Sequence, residues 1–246
     1  MTTVHASAMV ETDSIGDDVV IGAQCIVGPD AVLGDGVRLH PHVVVDGEVS
    51  LGDETEVFAG ALVGRTPARS AALSRPTDRS GPVTIGQRCS IGSYAVIYGD
   101  VEIGADCLIG DLASLREHCR VGDRCIVGRN VSLHPDCHIG DGTRIYDSSH
   151  IATGARLGRR CFLGVNVTMT SDNALGQLPF DHERVRGAVL GDGVAIGSAA
   201  VILPALEIGA DATVASGAVV TRDVAAGTSV RGRPARPSST KGGGSA

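Results

Sequence analysis

Aromatic side chains are nearly absent from these 246 residues: three tyrosines, three phenylalanines and no tryptophan. Such rings bury about 150–250 Å² each and dominate thick cores; without them the core must be laid down in thin layers of small and branched residues. No run of ~18 apolar residues occurs, so the sequence encodes no membrane-spanning helix. The N-terminus lacks a basic segment followed by an apolar stretch, which argues against a secretory leader and sets the expected location as the cytoplasm. Positive charge is also short. The net charge of −7 speaks against nucleic acid as a partner of the protein body, and no membrane partner is expected.

What the chain has is a period of six. From Ile85 to Met169 an apolar anchor recurs without a break, including Ile85, Ile91, Ile97, Ile103, Ile109, Leu115, Val121, Val127 and Leu133. Glycine often follows, as at Gly86, Gly92 and Gly104, and a small residue comes four after each anchor, as at Cys89, Ala95 and Val101. A fixed period marks a repeat architecture. Positions 0 and +4 repeated every six keep to no single stripe of a 3.6-residue helix, but they suit a short strand and a tight turn. Glycine serves where a side chain would clash. Three units close one triangular coil, and coils stack like parallel strands about 4.8 Å apart. Counting the anchors from Met9 to Val220 predicts about ten coils.

The seven cysteines fall in one slot of this repeat, four after an anchor. Cys89, Cys107 and Cys125 are spaced to stack on one inner face, with Thr143 and Cys161 continuing the row. They read as small buried core residues with free thiols, and no metal site is expected from their spacing.

The period breaks twice. Residues 65–82 contain Pro67, Pro76 and Pro82 with four arginines, Arg65, Arg69, Arg75 and Arg79; residues 171–187 contain Asp172, Asn173, Pro179 and His182. Both read as loops. The β-helix is expected over residues 1–226, with a tail over 227–246. Every third anchor shares a face, so both loops should leave the prism at one corner, five coils or about 24 Å apart. That corner displays Tyr98-Gly99-Asp100, Arg116-Glu117-His118, His134-Pro135-Asp136 and Ala152-Thr153-Gly154. A cleft between two excursions with titratable groups on its floor is the expected site. Its candidate catalytic residues are His118, His134 and Glu117. The competing reading of each histidine is a solvated surface residue. Arg65 and Arg79 are candidate phosphate contacts, because the guanidinium fork matches phosphate oxygens.

The repeat resembles the hexapeptide-repeat transferase superfamily. The resemblance implies an all-β fold, a left-handed parallel β-helix with two inserted loops, and an acyl transfer reaction. Members resembling the lipid A O-acyltransferase and the bacillosamine-type N-acetyltransferases place a histidine two after an anchor, before a Cys-x-[IV]-Gly segment. Here the segment is Leu115 to Gly122, with Glu117 at the matching position and His118 one later. A subgroup acting on amino deoxysugars is similar over residues 145–236, including Phe162 to Asn173 and the closing Gly232 to Arg236. It adds Asp147 to the catalytic candidates, and Asp172 and Asn173 to the substrate-binding ones.

The same resemblance implies acetyl-CoA as co-substrate. Gly197, Ser198, Ala215 and Ser216 would then meet its pantetheine, and Arg222 and Arg233 its phosphates. The expected activity is acetyl transfer to the amine of a nucleotide-linked amino sugar by a homotrimer. The alternatives are O-acyl transfer from acyl carrier protein, a γ-carbonic-anhydrase-like metalloenzyme, and a non-catalytic solenoid subunit.

Overall fold

An apolar anchor, a closely packed glycine and a small residue make each six-residue unit one side of a triangle. In the computed structural model, which describes residues 1–68, 70, 81–181 and 183–237, one coil runs through Ser90–Ile91, Val96–Tyr98 and Glu102–Ile103, and the next begins at Leu108–Ile109. Ile91 pairs with Ile109, Ile97 with Leu115 and Ile103 with Val121. Residues 18 apart therefore stack, and three sheets of 13, 11 and 9 strands result. We call them faces 1, 2 and 3, in the order in which each coil visits them. The fold is an all-β, left-handed parallel β-helix. No helix of the described residues is long and apolar enough to cross a membrane.

Face 1 has twelve parallel strands closed by one antiparallel strand, Arg236–Pro237, against the about ten coils counted from anchors. The difference lies at the ends. Thr3–Val4 already pairs with Val20–Ile21, and Ser229–Arg231 pairs with Thr213–Val214. The stretch expected as a tail from Gly227 thus contributes two strands; residues 238–246 lie outside the described ones.

The anchors fill the prism. Ile91, Ile97, Ile109, Leu115 and Leu133 are fully buried, as are the small residues Ala95, Val101 and Ala113. Burying each large anchor contributes about 1.5–3 kcal/mol. The seven thiols are free and buried in the slots expected of them. Most glycines that directly follow an anchor act by close approach rather than by unusual dihedrals. A Cβ on Gly92 would lie 2.5 Å from the amide nitrogen of Asp111 in the next coil. The left-handed residue of each corner instead stands three after the anchor and is seldom glycine: Tyr94, Asp100, Asp106, Leu112 and His118 all have φ between 55° and 62°.

Both loops leave from face 2 and re-enter on face 3. The first lies between Leu62–Arg65 and Val83–Ile85, the second between Thr168–Met169 and Val189–Leu190. Five strand steps separate their exits, about 24 Å. The shared corner places the site.

Candidate active site

The first loop grips the corner turn that carries Asp100. Strand Leu62–Arg65 slips register between Val63 and Arg65, which sets Arg65 opposite Tyr98. Gly64 makes the slip possible: its φ is +93° and a Cβ there would lie 1.7 Å from the carbonyl oxygen of Asp46. The amide of Gly99 then donates to the Arg65 carbonyl at 3.0 Å, and the amide of Asp100 to the Gly81 carbonyl at 2.8 Å. Both ends of the loop are thereby tied to one turn.

On that turn the imidazole Nδ1 of His118 hydrogen-bonds Oδ2 of Asp100, one coil below it. Arg120 holds the other carboxylate oxygen at 2.7 Å and the Asp100 carbonyl at 2.6 Å. Burial pushes the Asp100 carboxyl up, but the hydrogen bonds from Arg120 and His118 outweigh it and hold the group below its ordinary value. Asp100 is thus an anion. A neutral His118 donating from Nδ1 keeps a lone pair on Nε2, the state a general base needs.

A second chain of contacts runs beside the first. Glu117 is buried and takes a two-pronged ion pair from Arg116, at 2.8 and 3.1 Å. Arg116 lies 4.8 Å from the centre of the Tyr98 ring, and Arg65 lies 5.2 Å from the same ring. Arg65, expected to meet phosphate, is stacked here by cation–π attraction. One coil further, the rings of His134 and His150 stand 4.3 Å apart. Burial lowers the His150 pKa, so it favours the neutral form. Among the described residues no three His, Cys, Asp or Glu side chains converge as metal ligands.

The second loop closes the far end of the corner. Asp172 accepts amide hydrogens of Ala174 at 2.8 Å and Gly176 at 2.9 Å, and the Arg184 guanidinium at 2.5 Å. The bonds from Gly176 and Ala174, more than Arg184, hold its carboxyl below the usual range. Asp172 therefore shapes the loop. Asn173 beside it is exposed. The returning chain docks through the amide of Gly187 on the Thr153 carbonyl, 2.7 Å. Leu178, Pro179, Phe180, Asp181, Glu183 and Arg184 line an open concavity of about 910 Å³. Arg79 and His182 lie outside the described residues.

Several expected site residues are not brought to this corner. Asp147 follows a face-1 strand, Arg144–Ile145, and stands on the corner between faces 1 and 2. Its carboxylate accepts the Arg129 amide at 2.9 Å and the Arg129 guanidinium at 2.8 and 3.1 Å, which keeps its pKa low. Gly197, Ser198, Ala215 and Ser216 line the same distant corner. The Gly197 amide is bonded to Val214 and the Ala215 amide to Val230, at 2.7 and 2.9 Å, so neither is open to a pantetheine carbonyl. Arg233 caps the Gly217 carbonyl at 2.7 Å; Arg222, by contrast, follows the face-2 strand Val219–Val220, so it does stand on the loop corner, two strand steps past Thr168–Met169, and is exposed. The residue that sequence reading left out of the candidate set is Asp100. Its signal was its spacing, 18 before His118.

The model for bacterial transferase hexapeptides (six repeats) matches residues 14–47, 82–116 and 100–135, and the model for the hexapeptide repeat of succinyl-transferase matches residues 187–222. The chain belongs to the hexapeptide-repeat transferases. Relatives include two proteins named acyl-[acyl-carrier-protein]–UDP-N-acetylglucosamine O-acyltransferase. The one from Bartonella quintana is 37% identical over 91 residues, covering 37% of this chain and 32% of its own. The one from Azorhizobium caulinodans is 39% identical over 83 residues, covering 34% and 29%. The matched region spans about a third of the length of these relatives. The fold is similar to that of the Arabidopsis UDP-N-acetylglucosamine acyltransferase, with TM-score 0.56 and 22% identity over 96% of this chain and 73% of the other.

These relatives overturn two expectations. Acetyl-CoA as co-substrate, and acetyl transfer to an amine, do not fit proteins named for an acyl-carrier-protein donor and an oxygen acceptor. The physical reason agrees: Gly197, Ser198, Ala215 and Ser216, expected to meet the pantetheine, stand on another corner, and the Gly197 and Ala215 amides are already bonded. The stretch from Phe162 to Arg236 holds strands of the repeat, such as Phe162–Leu163, Ala195–Ile196 and Val219–Val220.

Proposed function

We propose that this protein transfers an acyl group from the thioester of an acyl carrier protein to a hydroxyl of a UDP-linked N-acetylamino sugar. The observation that supports it is the His118–Asp100 pair on the corner bounded by both loops. His118 Nε2 takes the proton of the sugar hydroxyl as its oxygen attacks the thioester carbonyl. The C–O bond forms, the C–S bond breaks, and the proton passes to the departing thiolate. Asp100 fixes the imidazole tautomer and favours the transient imidazolium. Glu117 acts by holding Arg116 against Tyr98, and His134 lines the floor.

The reading includes a homotrimer. Face 1 carries a groove of about 480 Å³ lined by Phe58, Leu108, Ile126 and Tyr146, with Leu108 45% and Phe162 39% exposed. That apolar surface suits packing against a neighbouring copy. The test is incubation with acyl carrier proteins of graded chain length and UDP-N-acetylglucosamine, with mass detection of acylated sugar nucleotide. Product with the unaltered protein and none with His118→Ala supports the reading; equal product from both removes His118 from it.

A further inference from the structure

At the second-loop end of this corner, Arg156 and Arg186 are two cations with no anionic partner among the described residues; Arg65, at the first-loop end, is stacked on Tyr98. Arg120 is committed to Asp100 and Glu102, Arg116 to Glu117, and Arg184 to Asp172. Arg156 points outward from face 3, following His138 and Arg120 up the sheet, and is exposed. Arg186 is exposed on the last residues of the second loop, its Cβ 3.7 Å from where a side chain on Gly154 would begin. Gly154 precedes Arg156 by two residues and carries the left-handed turn of the same corner, φ +68°. Two arginines from different segments, neither ion-paired among the described residues, thus start beside one glycine that adds no side chain between them.

The placement relative to His118 is specific. Gly154 stands two coils above His118 in the corner column, through Asp136, or about 10 Å. That span suits a sugar ring whose hydroxyl meets His118 while its anomeric oxygen carries a diphosphate. At the other end of the cleft, Arg65 and Arg116 are stacked on Tyr98. Like charges held close without carboxylates are unfavourable unless an anion joins them, and guanidinium groups take phosphate oxygens through paired N–H donors.

Resting on the transferase reading above, we infer that Arg156 and Arg186 form the diphosphate clamp of the sugar nucleotide. The nucleotide then lies toward the second loop, and the end of the cleft at the first loop is left to the acyl donor. This reverses the assignment of phosphate to the first-loop arginines.

The test is calorimetric binding of UDP, and of uridine as the phosphate-free control, to the intact protein and to Arg156→Gln, Arg186→Gln and Arg65→Gln. Both clamp variants should bind UDP about tenfold more weakly or worse, the loss expected for a charge-assisted hydrogen bond. Arg65→Gln should bind within about twofold of the unaltered protein, the scatter of a site that does not touch the ligand. Unchanged thermal melts confirm that the variants fold, since both side chains are exposed. UDP binding that survives both clamp substitutions, or is lost in Arg65→Gln instead, overturns the orientation while leaving the transferase reading standing. Failure of the unaltered protein to bind UDP overturns both.

Discussion

The imidazole of His118 rests on the carboxylate of Asp100, 18 residues earlier and one coil below it at the same corner. The coil repeat itself brings the two together, and Arg120 clamps the carboxylate from the adjoining face. His118→Ala is expected to lower kcat by about 10²–10⁴ with little change in KM. Asp100→Asn should lower kcat at least about tenfold, because an amide offers the imidazole no anion and disturbs its tautomer. Steady-state kinetics of both variants check this.

Asp100 also ties stability to pH. Its folded pKa lies below its ordinary value, so the contribution is complete above the unfolded value near 3.9 and is lost as pH falls through the folded one. Asp100→Asn should therefore be less stable than the unaltered protein at pH 7, and the gap should narrow below about pH 4. Urea unfolding followed by circular dichroism at pH 7 and pH 3 reads it.

Gly64 sets the register that stacks Arg65 on Tyr98. With φ at +93° and a backbone oxygen in the position of a Cβ, Gly64→Ala should destabilise by about 1–3 kcal/mol or more. It should also speed proteolysis within residues 65–82 relative to the rest of the chain. A thermal melt paired with limited proteolysis separates the two effects.

The thiols should be silent in the native state. All seven are buried. Cys107 is raised by its hydrogen bond with Cys125, lowered by its contact with Cys89 and raised again by burial, to about 11. Cys125 is shifted down by its bond to Cys107 yet is only 1% exposed. A thiol reagent at neutral pH should label none of them in folded protein and all seven in denaturant. Labelling of one or more without unfolding would contradict the packing.

Much of this was legible in the sequence because a solenoid maps sequence distance onto space. Anchors every six residues gave the faces, and multiples of 18 gave the corner shared by both loops, now seen at Leu62–Arg65 and Thr168–Met169. The chemistry was harder, because an aspartate two after an anchor is also a structural device. Asp35, Asp53, Asp111, Asp123, Asp141 and Asp192 each accept an amide from the preceding coil, as Asp147 does. Spacing alone could not separate that role from catalysis. Asp100 showed the reverse: three after its anchor, at a left-handed residue, it turns its side chain to His118. Nor could the repeat decide the donor, since the C-terminal motifs serve the scaffold.

Asp147→Asn should therefore leave turnover within about twofold and stability within about 1 kcal/mol, the range of an exposed ion pair. A kcat loss as large as that of His118→Ala would return Asp147 to the catalytic set.

The most direct test of the account is the bond formed. The protein is given acyl carrier protein thioester and UDP-N-acetylglucosamine, and the acylated product is treated with mild alkali. The account predicts an acyl ester on the sugar that alkali releases, dependent on His118. An alkali-stable amide, or transfer from acetyl-CoA but not from the carrier protein, would contradict it.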